Sequence, residues 1–268
     1  MSLNLNISAE IVKRATSGDH VALDSLIRKL QRPLYNLALR MMANHYDAED
    51  ATQEALLRIV THLSSFRGES AFSTWAWTIA TRVVLAQRRR RAQPPITVAD
   101  FEADLALARD DTAVERIENA ELLQQVKLGC GRAMLLCLDD DQRIAYVLAD
   151  ILGVPGPVAA DVLNLSPAAF RKRASRARQA VRGNLDRLCG VVNPSLDCRC
   201  HKRIARAKDR DRLDPRDLEG AVSVAALRER IASIDKLSRH WTFYGADPFV
   251  SPGPELINQV RSSLGLSS

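Results

Sequence analysis

Aromatic side chains are scarce in this sequence, 5% of 268 positions. No apolar run approaches the ~18 residues that a membrane span requires. The shortage of aromatics disfavours a β-rich fold and favours Leu/Ala/Val packing between helices. The opening segment MSLNLNISAEIVKRATSGD carries no apolar h-region, so the expected location is the cytoplasm. Three catalytic signatures are missing: GxxxxGK[ST], GxSxG and HExxH. The five histidines are scattered, and the DDD at 139–141 reads as a helix start. Enzyme readings therefore find no support. Cysteines number five, and in a cytoplasmic protein these are thiols or metal ligands rather than disulfides.

What is present points elsewhere. Apolar content is 46%, enough for real cores, and the net charge is +6 with the positive residues concentrated in a few stretches. That pattern suits nucleic acid or another polyanion. The periodicity predicts an all-α, modular chain: a helical bundle domain over residues 8–92, an acidic linker over 93–115, a helix-turn-helix domain over 116–188 and a helical, cysteine-containing C-terminal extension over 189–268. In the first domain Ser8 is a predicted cap, Gly18-Asp19 a break, and Leu23, Leu26, Ile27, Leu30, Leu34, Leu37 and Met41 a buried helical stripe. Asp47 is the expected cap of a third helix, with Asp50 in the capping-box position. Ser73 or Thr74 is the expected cap of a fourth. The segment from Ala92 to Glu115 holds six acids against one base and two adjacent prolines, and reads as extended.

Two stretches carry candidate chemistry. In GPVAADVLNLSPAAFRKRASRARQAVRGNL, a short helix, a turn and a longer helix are spelled out, with Ser166 as N-cap and Pro167 at the first helical position. Early residues of such a second helix, Ser166 to Phe170, reach base edges. Arg171, Lys172, Arg173, Arg176 and Arg178 suit phosphates. The competing reading is a solvated basic face. The other stretch begins at Phe72, Trp75 and Trp77 and ends in four consecutive arginines, Arg88 to Arg91. Aromatic groups beside a basic track are what unstacked bases need, although Trp75 and Trp77 face different sides of a helix, so one of the two packs inward.

The string DAEDATQEALLRIVTHLSSFRGESAFSTWAWTIATRVV resembles the main segment of bacterial RNA polymerase sigma factors of the extracytoplasmic-function (ECF) type. LSPAAFRKRASRARQAV resembles that family's C-terminal helix-turn-helix. Together the resemblance spans residues 8–186. It implies that Asp47, Glu49, Asp50, Gln53 and Glu54 face the clamp helices of the polymerase's largest subunit. Acidic groups there would steer the encounter and fix its register. It further implies that Phe66 to Trp77 capture a flipped base and that Thr81, Arg82, Gln87 and Arg88 read or grip the minus-ten element. Phe170 to Arg178, Ser175 included, would enter the major groove at the minus-thirty-five element. The chain departs from the family at GPVAADVL, where Tyr-Glu-Glu-Ile or similar is usual, and at SPAAFRKR, where Gly-Thr-Val-Lys is common. Implied partners are core RNA polymerase, promoter DNA and an anti-sigma factor, with no cofactor required.

Cys189, Cys198, Cys200 and His201, spaced C-x8-C-x-C-H, could offer soft or borderline ligands to zinc or copper. Packing plus exposed thiols is the alternative. Cys130 and Cys137 read as core. A cysteine-containing tail is similar to extensions in some members of the family, where it senses a metal or takes over inhibitory control. Two other functions stay open: a stand-alone helix-turn-helix regulator, and a metal- or thiol-responsive binding protein.

Overall fold

The computed structural model describes Leu5 and residues 7–91, 96–107, 120–209, 213–218, 221–235 and 238–266. Helices and short 3-10 turns are the only regular elements among these residues, so the fold is all-α. The chain divides into two compact units. One comprises Met1–Gln93, Ile144–Ala174 and Ser251–Ser268; the other comprises Pro94–Arg143 and Ser175–Val250.

In the first unit, α1 (Ala9–Thr16) starts at Ser8, whose side chain accepts from the Ile11 amide. Gly18 takes the left-handed conformation (φ +87°), which a glycine adopts without strain. Asp19 then caps α2 (His20–Met42) by accepting from the Val21 and Ala22 amides. The Ser8 cap and the break at Gly18-Asp19 follow the sequence reading. The α3 cap does not. α3 runs His45–Thr61 and is capped by Asn44, whose carboxamide accepts from the Asp47 amide at 2.9 Å. Asp47 lies inside the first turn, where its charge still meets the positive helix end. α4 (Phe72–Arg90) begins after Ala71 with no side-chain cap, so neither Ser73 nor Thr74 serves. Phe72, packed against Phe66 at 5.4 Å between centroids, fixes that entry instead. Leu26, Ile27, Leu30, Leu34 and Leu37 of α2, Ala48, Ala51, Ala55, Leu56 and Ile59 of α3, and Ala76, Trp77, Ala80, Val83 and Val84 of α4 form the buried centre. Tyr35 Oη and His45 Nδ1 share a buried hydrogen bond of 2.6 Å between α2 and α3.

The second unit starts with a correction. Part of the stretch expected to be extended is helical: α5 (Val98–Ala106) opens on a reciprocal capping box between Thr97 and Asp100 and buries Phe101. α6 (Ala120–Leu135) follows, then α7 (Asp140–Tyr146), which continues as a π-helical turn over Val147–Ile151. Arg143 of α7 reaches back past the end of α6, and its guanidinium donates to the carbonyls of Leu135 (2.8 Å), Leu136 (3.0 Å) and Leu138 (2.7 Å). The Leu135 carbonyl also accepts from the Leu138 amide at 3.1 Å, so the guanidinium ties the end of α6 to the turn that follows it. Gly153 (φ +70°) ends the π turn.

Helices α8 (Gly156–Val162) and α9 (Pro167–Leu188) complete the helix-turn-helix. Asn164 turns the corner in the left-handed region (φ +53°). Ser166 Oγ accepts from the Ala169 amide at 3.2 Å, as its sequence position predicted. Further elements are α10 (Ile204–Asp209), α11 (Val224–Ala232), α12 (Arg239–Gly245) and α13 (Pro254–Ser263). In the second unit Lys127 pairs with Asp247 and Arg132 with Asp217, all four side chains buried. Asp104 of α5 holds both Arg203 (2.6 Å) and Arg206 (3.1 Å).

Candidate nucleic-acid interface

α9 has two unlike faces. Phe170, Ala174, Ala177, Val181, Leu185 and Leu188 recur at helical spacing and are buried. Arg171, Lys172, Ser175 and Arg176 are exposed on the opposite side, with Arg173 and Arg178 half-buried between the two. Ser166 is exposed at the start. The burial of Phe170 (3% exposed) removes it from any groove-reading set in this conformation, because its ring belongs to the packed stripe. Its ring edge lies 3.9 Å from where a side chain on Gly156 would begin, so it fastens α8 to α9. A helix presenting a row of guanidinium groups above a capped N-terminus can neutralise phosphates and bring its first turn to base edges.

The α4 site is built around aromatic rings. Phe66, Phe72 and Trp75 form a three-way contact with centroids 5.4 to 5.6 Å apart. Trp75 is half-buried, while Phe72 and Trp77 are buried. Of the two tryptophans, Trp77 is the inward one (1% exposed). Thr81 is buried too, and its hydroxyl donates to the Trp77 carbonyl at 2.9 Å. Thus Phe72, Trp77 and Thr81, expected at the DNA surface, are supporting residues here. Helical geometry turns them to the core while Arg82, Arg89 and Arg90 stay exposed and Arg88 is half-buried. Phe66 was within the expected segment, yet its ring contacts became legible only in three dimensions.

The acidic row of α3 meets the basic end of α4. Arg91 pairs with Asp47 and, at 3.3 Å, with Asp50. Gln87 Nε2 donates to Glu54 Oε2 at 2.7 Å, and Arg58 reaches the other Glu54 oxygen at 2.5 Å. Gln87 is therefore directed to the acidic row rather than outward. Asp50 remains exposed, and Asp47, Glu49, Gln53 and Glu54 are half-buried. Glu49 Oε1 accepts from the Gly253 amide at 3.1 Å, a contact that nothing in the sequence signalled.

Of the two cysteine readings, packing is the one that the described residues support. Cys189, Cys198 and Cys200 line one small apolar cavity together with Cys130, but among the described residues no group of three or more His, Cys, Asp or Glu side chains could hold a metal ion. His201 does not complete a ligand set. Burial pushes the Cys189 and Cys200 thiols up from their ordinary range, and the neighbouring sulfurs push Cys200 further. In this apolar wall the thiols act as packing groups, and their burial slows the formation of a reactive thiolate. Gly190 is required there: a Cβ would sit 1.8 Å from the Cys198 carbonyl oxygen.

No helix among the described residues is long and apolar enough to cross a membrane. Two family models match the chain: Sigma-70 region 2 over residues 26–93 and Sigma-70, region 4 over residues 130–181. The RNA polymerase sigma-H factor of Pseudomonas aeruginosa is 31% identical over 179 residues, 64% of this chain and 90% of its own length. ECF RNA polymerase sigma factor SigM of Mycobacterium tuberculosis is 31% identical over 192 residues, covering 72% of this chain and 89% of that protein. The ECF RNA polymerase sigma-E factor of Escherichia coli is 30% identical over 181 residues, covering 64% and 90%. Among solved structures, CnrH in complex with the cytosolic domain of CnrY is similar at 23% identity and a TM-score of 0.49, covering 67% of this chain and 97% of that one. By its two matched regions and its sequence identity with the sigma-H, SigM and sigma-E factors, the chain belongs to the extracytoplasmic-function family of RNA polymerase sigma factors.

Proposed function

We propose that this chain binds core RNA polymerase in the cytoplasm through α3, directs it to a two-part promoter and helps to open the DNA, with bond-making left to the polymerase and no cofactor required. The observation that carries this reading is the presence, in one chain, of an acid-bearing α3 beside an aromatic-to-basic α4 and of a capped, arginine-rich α9. Residues 8–92 serve polymerase binding and melting, and residues 116–188 serve upstream recognition. Asp47, Glu49, Asp50, Gln53 and Glu54 form the polymerase contact. An anti-sigma protein would compete for that same surface. Trp75, Arg82 and Arg88 meet the minus-ten element, with Phe72, Trp77 and Thr81 shaping their support. Ser166, Arg171, Lys172, Arg173, Ser175, Arg176 and Arg178 meet the minus-thirty-five element.

Run-off transcription with purified core enzyme on a library of candidate promoters tests the reading. Chain-dependent start sites are expected, and complete failure to initiate would remove it. Asp50→Arg is a sharper probe. A reversed charge at this exposed position should weaken core binding at least about tenfold, since like charges juxtaposed across an interface cost several kcal/mol. The circular dichroism spectrum should stay unchanged. Unaltered affinity would dismiss α3 as the docking element.

A further inference from the structure

The last helix of the chain lies on the element just assigned to polymerase binding. α13 packs along α2 and α3 within the first compact unit. Leu256, Ile257 and Val260 form its buried stripe. Its N-terminal end is fixed by the Gly253 amide, which donates to Glu49 Oε1 at 3.1 Å. The positive end of the α13 dipole thereby faces a carboxylate, the favourable sign. Its other end is fixed by Arg261, whose Nη1 meets Asp24 Oδ1 of α2 at 2.9 Å. Gln53 stands one helical turn beyond Glu49 and on the same side of α3.

We propose that α13 is a built-in competitor for the polymerase-binding face, holding Glu49 and covering the α2–α3 surface until core enzyme displaces it. The inference rests on the assignment of α3 as the docking element. Three features suit a displaceable cover. α13 is ten residues long, it hides a short apolar stripe, and both its polar attachments join groups that remain partly accessible. A Pro/Gly-rich run, Pro248 to Pro254, precedes it. Being on the same chain, α13 competes at a high effective concentration without needing high intrinsic affinity.

The test compares the full chain with a chain ending at Val250, titrating each onto fluorescently labelled core RNA polymerase. If the cover is closed in about nine molecules of ten, its removal should tighten core binding about tenfold, because apparent affinity scales with the competent fraction. Asp24→Arg in the full chain, which repels Arg261 and leaves the α3 acids untouched, should give a gain in the same direction. Adding Arg261→Asp to that variant should restore the block. This charge-swap series decides the matter even where the shortened chain fails to fold. Equal affinity of full and shortened chains, or an Asp24→Arg gain that Arg261→Asp does not reverse, overturns the inference while leaving the docking assignment intact. Failure of every form to bind core overturns the docking assignment itself, and the inference with it.

Discussion

Arg143 is worth more to this fold than its position in the sequence suggests. Its guanidinium is fully buried and donates to three carbonyls, that of Leu135 at the end of α6 and those of Leu136 and Leu138 in the turn after it. Arg143→Met keeps the stem but removes the donor to the Leu136 and Leu138 carbonyls, and chemical denaturation should show a loss of about 3 kcal/mol, the scale for orphaned buried polar groups. The cysteines give a second residue-scale expectation. A folded-state thiol pKa raised by burial means less thiolate at any pH below it, so alkylation slows. At pH 8, Cys189 and Cys200 should react with iodoacetamide far more slowly in the native chain than in urea, as read by mass spectrometry of the labelled peptides. Equal rates would contradict the packing role. At this scale the sequence was informative where chemistry is local. Ser8 and Ser166 were legible as caps, and Gly18-Asp19 as a break, because each signal spans only two or three residues. Asp47 was misplaced as a cap because Asn44, three residues earlier, competes equally well for the role. Nothing local could show that Arg91 closes on Asp47, or which of Trp75 and Trp77 turns inward; the inward turn of Phe170 follows the helical spacing it shares with Ala174, Ala177 and Val181.

At the scale of elements, α9 was readable almost entirely from its pattern, since a cap, an apolar stripe and a basic face all agree. Its function is testable through salt. Each phosphate contact contributes about −0.9 to the slope of log affinity against log salt. Replacing Arg171 and Arg176, both exposed, by Ala should flatten that slope by about 2 for holoenzyme on a promoter with an upstream element. On a promoter lacking the element the slope should not change. An equal change on both templates would place these arginines outside upstream recognition. The turn before α9 is equally specific. Asn164 holds a positive φ, so Asn164→Gly should be tolerated, whereas Asn164→Val should lower stability by about 1–2 kcal/mol through the Cβ clash of the left-handed region. α5 is the counter-example. Its acidic composition and flanking prolines read as extended chain, yet Phe101 finds a buried site and Asp104 finds two arginines. Both partners of Asp104 lie about a hundred residues away, beyond what any window of composition can register.

For the whole molecule, charge and architecture together separate the sigma reading from a stand-alone helix-turn-helix regulator. A self-sufficient regulator carries its full specificity in its own contacts, with specific sites typically preferred by a factor of about 10³ or more over other DNA. A sigma factor divides recognition between two elements whose spacing the polymerase sets. The net charge of +6 gives the isolated chain a sequence-independent attraction to any duplex, and that attraction weakens steeply with salt. The free chain should therefore bind promoter and scrambled duplexes with nearly equal affinity. Adding core enzyme should create the preference, and it should do so more readily once α13 has been removed. Competition binding with the two duplexes, run with and without core enzyme, reads both effects. Strong promoter preference by the free chain alone would favour the stand-alone regulator, because the discrimination would then reside in α9 without any need for the acidic surface of α3.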